Sequence, residues 1–215
     1  MVEQFSQIKE IELERVAAIK HNYGHIGCAL SHMKCIDEHP TNDFIAIMED
    51  DCVIKSVDTF YEDIMAIMKY LQKWPEIWEV FNGNPSNITT NAQCHLLNEH
   101  PKMISYKPNI GGGSANFIIY NMGNENTRKK LSTFKMRLMK YENLLAQGII
   151  SVNKKYKGAP IIDKYLSEKM VCVTRLPLLT YQMASKSDTE NRYMNTKQSM
   201  DTSEDILNAF LKANC

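Results

Sequence analysis

Phe44-Ile45-Ala46-Ile47-Met48 runs directly into Glu49-Asp50-Asp51. Five apolar residues that end in three acids predict a short buried strand presenting carboxylates where the chain leaves the core. Successive side chains of an extended chain face opposite ways, so Glu49 pairs with Asp51 and Asp50 faces away. Oxygen donors clustered at a sheet edge suit Mg²⁺ or Mn²⁺, cations that bridge a substrate's phosphates. An acidic turn closing a strand accounts for the run equally well.

Upstream, Tyr23 to Gly27 reads as a loop and Cys28 to about Glu38 as a helix. Its apolar positions Ala29, Leu30, Met33 and Ile36 fall at helical spacing, and His39-Pro40 ends it. Further upstream, residues 11–19 open with the alternation of a half-buried strand. Downstream, Phe60, Ile64, Ile67, Met68 and Leu71 predict a helix over 58–73, with Asp58 as its cap. Trp78 to Phe81 reads as a short strand breaking into Asn82-Gly83-Asn84-Pro85-Ser86. The loop Gly111-Gly112-Gly113-Ser114 precedes a buried strand over 115–120. A polar helix follows around 125–150, then a helix over 161–169, a strand over 170–175 and a C-terminal amphipathic helix over 204–212. Residues 184–202 are polar and predict a mobile stretch. Strands alternating with helices predict one α/β domain spanning 1–215 around a largely parallel sheet.

The 215 residues suffice for a proper core, and 44% hydrophobic with 23% charged residues is ordinary for a globular chain. Twenty-five basic residues balance twenty-five acidic ones, so no overall field favours nucleic acid or an anionic membrane. No apolar run is long enough to span a bilayer, and no signal peptide is evident. Six cysteines without CxxC pairs read as reduced, small hydrophobes, which places the expectation in the cytoplasm.

Several groupings carry chemistry. Cys28, His32, Cys35 and His39 share a helical face, but a tetrahedral zinc site rarely draws all its ligands from one straight helix. Gly24-x-x-Gly27 ahead of a helix could set backbone N–H groups against a phosphate, or Gly27 could simply permit a tight turn into the helix. Ser31 and His32 point about 100° apart on a helix, which disfavours a catalytic pair. Asn82, Gly83 and Asn84 stand at a strand end, where open α/β sheets bind ligands, and amides suit sugar hydroxyls. Asp163 follows a Gly-Ala-Pro turn and is either an N-cap or a general base presented into a cleft.

Taken together, Glu14-Arg15-Val16-Ala17-Ala18-Ile19, Gly24-His25-Ile26-Gly27-Cys28-Ala29-Leu30-Ser31-His32 and Ile47-Met48-Glu49-Asp50-Asp51 resemble glycosyltransferase family 25, which includes lipooligosaccharide and procollagen galactosyltransferases. Weaker echoes continue at Phe81-Asn82-Gly83, at Ser114 to Ile119 and at Pro160 to Asp163. The resemblance implies a GT-A type fold, with a mixed, mostly parallel sheet flanked by helices. It also implies a UDP-sugar donor, Mn²⁺ or Mg²⁺, and inversion at the anomeric carbon. Carried over, Asp51 contacts the metal, and Glu49 faces the ribose or a metal-bound water. Gly24, Gly27 and His32 line the donor site. Asn82, Gly83, Asn84, Ser114, Asn116 and Asp188 bind substrate, and Asp163 is the base.

Family members usually open with a strand of the form INLxxRxxR, and this chain begins near where that element would end. An open sheet edge, and self-association through it, is therefore expected. The expected activity is transfer of a hexose, galactose or glucose favoured, from a UDP-sugar to a glycan or hydroxylated protein. The alternatives are a non-catalytic sugar- or nucleotide-binding module and a metal-dependent phosphohydrolase.

Overall fold

The computed structural model describes residue 4 and residues 7–107, 116–150, 159–183, 185–186, 193–194 and 196–214. Among them, α1 (Gly24–Glu38), β1 (Phe44–Met48), β2 (Cys52–Ile54) and α2 (Val57–Leu71) follow one another closely. Next come β3 (Val80–Asn82), the hairpin β4 (Gln93–Glu99) and β5 (Lys102–Lys107), and β6 (Phe117–Asn121). The chain continues through α3 (Glu125–Ala146), α4 (Ile162–Lys169), β7 (Cys172–Leu176), β8 (Thr180–Gln182), β9 (Ser185–Lys186), β10 (Tyr193–Met194) and α5 (Thr196–Asn214).

Six strands form one mixed sheet in the order β1-β6-β3-β7-β5-β4. The expectation of a mostly parallel sheet is corrected here: only β3 and β7 run parallel, and the other four neighbouring pairs are antiparallel. The reason lies in the connections. Parallel neighbours need a helical crossover, and β3 and β7 have α3 and α4 between them. The hairpin β4–β5 and the insertion of β6 between β1 and β3 supply antiparallel pairs instead.

Helices and loops bury both faces of the sheet. On β6, Ile118 and Tyr120 face the core shared with α1, α3, α4 and α5, whereas Phe117 and Ile119 face the core under α2. The same two-residue alternation divides Val80 from Phe81 and Cys172 from Val173. Such strands read as continuous apolar runs because neither face meets water. The sheet is thus the middle layer of an α/β domain.

Two expectations at the N-terminal end change. Helix α1 starts at Gly24, not Cys28, so Tyr23 to Gly27 is not a free loop. Residues 11–19 join no ladder. Their alternation has no face to cover, since Leu13 is 41% exposed, and the segment is anchored by Ile19 N–H donating to Ser31 Oγ. Helix α5 also begins earlier than expected, taking in residues 196–202 of the stretch expected to be mobile. No described helix is long and apolar enough to cross a membrane.

Candidate functional site

The end of β1 carries the acids to the sheet's edge, but Asp50 and Asp51 lie in a turn closed by Cys52 N–H donating to the Glu49 carbonyl at 3.1 Å, not on the extended chain that was expected. Asp50 is exposed, while Glu49 and Asp51 are half-buried on the other side. Around Asp51 the fold builds a ring of amides. Gln182 Nε2 donates to Asp51 Oδ2 at 2.6 Å, and Asn116 Nδ2 lies 3.4 Å from Oδ1. Asn84 Nδ2 in turn donates to Asn116 Oδ1. Gln182 arrives because β8 pairs antiparallel with β2, setting Gln182 opposite Cys52, and Met183 N–H donates to the Asp51 carbonyl at 2.8 Å.

Glu49 faces a different set of partners. Cys28 Sγ donates to Glu49 Oε1 at 3.2 Å, and His32 Nε2 lies 3.5 Å from the same oxygen. His32 is buried, with Nδ1 3.0 Å from the Tyr120 hydroxyl. Residues 28 and 32 are one helical turn apart, so α1 delivers both to this point.

Asp163 closes the group from the first turn of α4. It is not the helix cap: that position is Ile161, and no side chain caps the helix. Asp163 Oδ1 is buried without a hydrogen-bond partner, so the N-cap role considered from sequence is not the one it fills.

The electrostatics separate the three carboxyls. Burial pushes Asp163 well above the ordinary carboxyl range, and the nearby charges of Glu49 and Asp51 push it further. Asp51 is also raised, by burial and by Glu49, against the opposing hydrogen bonds of Gln182 and Asn116. For Glu49, burial acts upward, but His32 and the Cys28 thiol outweigh it and hold the group below its usual value. Burial and Glu49 together raise the Cys28 thiol, which stays protonated and is no nucleophile.

Other sites expected from sequence fall elsewhere. Gly27 N–H is spent on the Tyr23 carbonyl at 3.1 Å, and a Cβ on Gly27 would stand 2.7 Å from the Ile19 carbonyl oxygen. That glycine serves close packing of residues 19–21 on α1, a correction to its expected phosphate role. Gly24 is the first residue of α1. Asn82 Oδ1 accepts from the Asn84 N–H, and Gly83 makes room for the Phe117 ring, so both hold the strand-end loop in shape. Ser31 Oγ links Ile19 N–H to the Gly27 carbonyl. His39 pairs with Glu14 at 3.3 Å, away from His32, so the cysteine–histidine face of α1 does not converge as a set. Ser114, Asp188 and the Gly111–Gly113 loop lie outside the described residues.

Of the expected residues, Glu49, Asp51, Asp163, His32, Asn84 and Asn116 meet in one neighbourhood. Sequence reasoning missed Gln182 and Tyr120, which no local motif announces, and grouped Cys28 with residues of its own helix rather than with Glu49. No family model matches the chain, and no curated protein matches it.

Proposed function

We propose that the chain is a metal-dependent, inverting glycosyltransferase of GT-A type, moving a hexose from a UDP-sugar to a glycan or hydroxylated protein acceptor. The observation that carries this reading is the buried, unpartnered oxygen of Asp163, on a helix whose first turn lies within the electrostatic reach of Glu49 and Asp51. Structural acids are normally paired or capping, and perturbed carboxyls gathered at a strand end are the usual mark of a working site.

The donor set fits Mg²⁺ or Mn²⁺, which prefer carboxylate and carbonyl oxygens. Asp51 would hold the cation, aimed by Gln182 and Asn116, with Glu49 beside it. When bound, such a cation neutralises negative charge on the departing diphosphate. Asp163 takes the proton from the acceptor hydroxyl. The acceptor oxygen then bonds to the anomeric carbon as the bond from that carbon to the diphosphate breaks, and UDP leaves. The buried amides of Asn84 and Asn116 keep Asp51 fixed during transfer rather than reaching for sugar themselves.

The second reading, a sugar- or nucleotide-binding module, draws on the engagement of Glu49 with Cys28 and His32 rather than with Asp51. One experiment separates the two. UDP-sugars are offered with and without Mn²⁺, and both transfer and melting temperature are followed. An enzyme turns over, loses turnover in Asp51→Ala, and in Asp163→Asn keeps the melting shift but not transfer. If neither Mn²⁺ nor UDP raises the melting temperature, the donor site is misassigned, because a ligand of the native state must stabilise it.

A further inference from the structure

Cys28, His32 and Glu49 bring a thiol, an imidazole and a carboxylate to one point, from two separate elements of the fold. Their ligand atoms all lie within 4.8 Å of one another, the one such group among the described residues. Sγ stands 3.2 Å and Nε2 stands 3.5 Å from the same Glu49 oxygen. Neighbouring ligands on a tetrahedral zinc ion, with metal–ligand bonds of about 2.0–2.3 Å, are themselves about 3.3–3.6 Å apart. Both distances to the Glu49 oxygen therefore match ligand spacing, and Sγ and Nε2 lie within 4.8 Å of each other.

A second observation points the same way. His32 is 2% exposed, and its Nε2 finds no hydrogen-bond partner although it faces the cluster. Buried ring nitrogens are ordinarily satisfied. Its other nitrogen, Nδ1, lies 3.0 Å from the Tyr120 hydroxyl. Without an ion, an Nε2–H facing Glu49 supports that carboxylate. The other neutral tautomer, with its proton on Nδ1 donated to the Tyr120 hydroxyl, frees the Nε2 lone pair for an ion, the arrangement by which metal-binding histidines are held in place. We infer that Cys28, His32 and Glu49 form a site for a borderline-soft divalent cation of the Zn²⁺ class, with a fourth position for water. This site is separate in chemistry from the Asp51 carboxylate, which offers oxygen alone, because a thiolate selects zinc over Mg²⁺ or Mn²⁺.

Binding has a defined proton balance. The Cys28 thiol gives its hydrogen, now shared with Glu49, to solvent as the sulfur–metal bond forms, so one proton is released per ion. The inference does not depend on glycosyl transfer, but it shares Glu49 with that reading, so an occupied soft site would draw this carboxylate away from Asp51.

The test uses the full chain stripped of metal by a chelator, with Co²⁺ as the spectroscopic probe. Expected are one equivalent bound, a sulfur-to-cobalt charge-transfer band, intense tetrahedral visible bands, displacement of both by Zn²⁺, and release of about one proton per ion. Cys28→Ser should abolish the charge-transfer band, His32→Gln should weaken the visible bands, and Cys35→Ser, one turn away, should leave both intact. The inference is overturned if wild-type protein binds Co²⁺ without a sulfur band or not at all, or if the band survives in Cys28→Ser. The melting shift with Mn²⁺ and UDP, read on the same wild-type protein, is independent. A missing cobalt band with that shift intact removes this site alone, and the reverse result removes only the donor site.

Discussion

Gly83→Ala separates two roles for the strand-end loop, because Gly83 was expected at a ligand but stands against a ring. A Cβ there would lie 2.9 Å from Phe117 Cε1 and 3.1 Å from Cγ, and closer still to Cδ1. The backbone cannot retreat easily. Gly83 N–H donates to the Phe117 carbonyl at 3.0 Å, and the Gly83 carbonyl accepts from Leu179 N–H at 3.2 Å. Nor can the ring swing away, since Phe117 is 2% exposed and packs between Phe60 and Phe81. Overpacking of this kind costs about 1–3 kcal/mol. With both backbone bonds pinned, the upper end applies, less about 0.5 kcal/mol recovered because alanine restricts the unfolded chain.

The net expectation is a loss of about 2–3 kcal/mol in urea unfolding, or a melting temperature lower by about 5–10 °C for a domain of this size. In a Phe117→Leu background the clash is largely gone. The same substitution should then cost about 1 kcal/mol or less, a coupling that double-mutant analysis reads directly. Equal cost in both backgrounds would refute the steric argument. Unchanged stability with lost donor binding would return Gly83 to the ligand.

Two further substitutions probe the buried carboxyls. In metal-free protein the folded-state pKa of Asp163 lies above its unfolded value, so its stabilising contribution is complete below about pH 4 and is lost as pH rises through the folded value. Asp163→Asn should therefore be more stable than wild type at pH 7, and the gap should shrink on acidification. Urea midpoints that differ equally at pH 4 and pH 7 would contradict this. Lys130→Met should cost about 2–3 kcal/mol. It removes the cation from Glu79, 3% exposed and bonded at 2.7 Å through both oxygens. The figure sits below the usual ~3–5 kcal/mol because Val171 N–H still donates to Glu79 at 2.7 Å and the Lys130 side chain is 35% exposed. A urea shift below about 0.5 kcal/mol would show that water already shares the charge.

The acidic strand end was legible because its information is local. Five apolar residues need a strand, and its two-residue period carries Glu49 to the face of Ile45 and Ile47, whereas the turn closed by Cys52 N–H on the Glu49 carbonyl, not strand alternation, sets Asp50 outward and Asp51 inward. Helix α2 was legible for the same reason, its apolar residues recurring on one face. The hairpin β4–β5 was not. Its register shifts between Leu96 and Asn98, which breaks the alternation, and no glycine marks its turn. The placement of β6 beside β1 and β3 depends on pairing between segments about 70 and 40 residues apart, which no window along the chain reports. Gln182 is the sharpest case. It reaches Asp51 across 131 residues through a three-residue strand, and only tertiary pairing could reveal it.

The partners of the three carboxyls also set them apart electrostatically. Glu49 has Cys28 and His32 to support its charge, so it is the carboxyl that stays ionised. Asp163 has no hydrogen-bond donor at Oδ1 and two acids nearby, so it holds its proton longest. Asp51 lies between these extremes, buried but supported by two amides. Environments that drive neighbouring carboxyls apart are how one site obtains both a fixed charge and an adjustable base. A cation taken up at Asp51 would offset the negative charge that raises Asp163 and so favour loss of its proton. On the proposed reading, donor binding would then prepare the base, and acceptor activation would await a filled donor site.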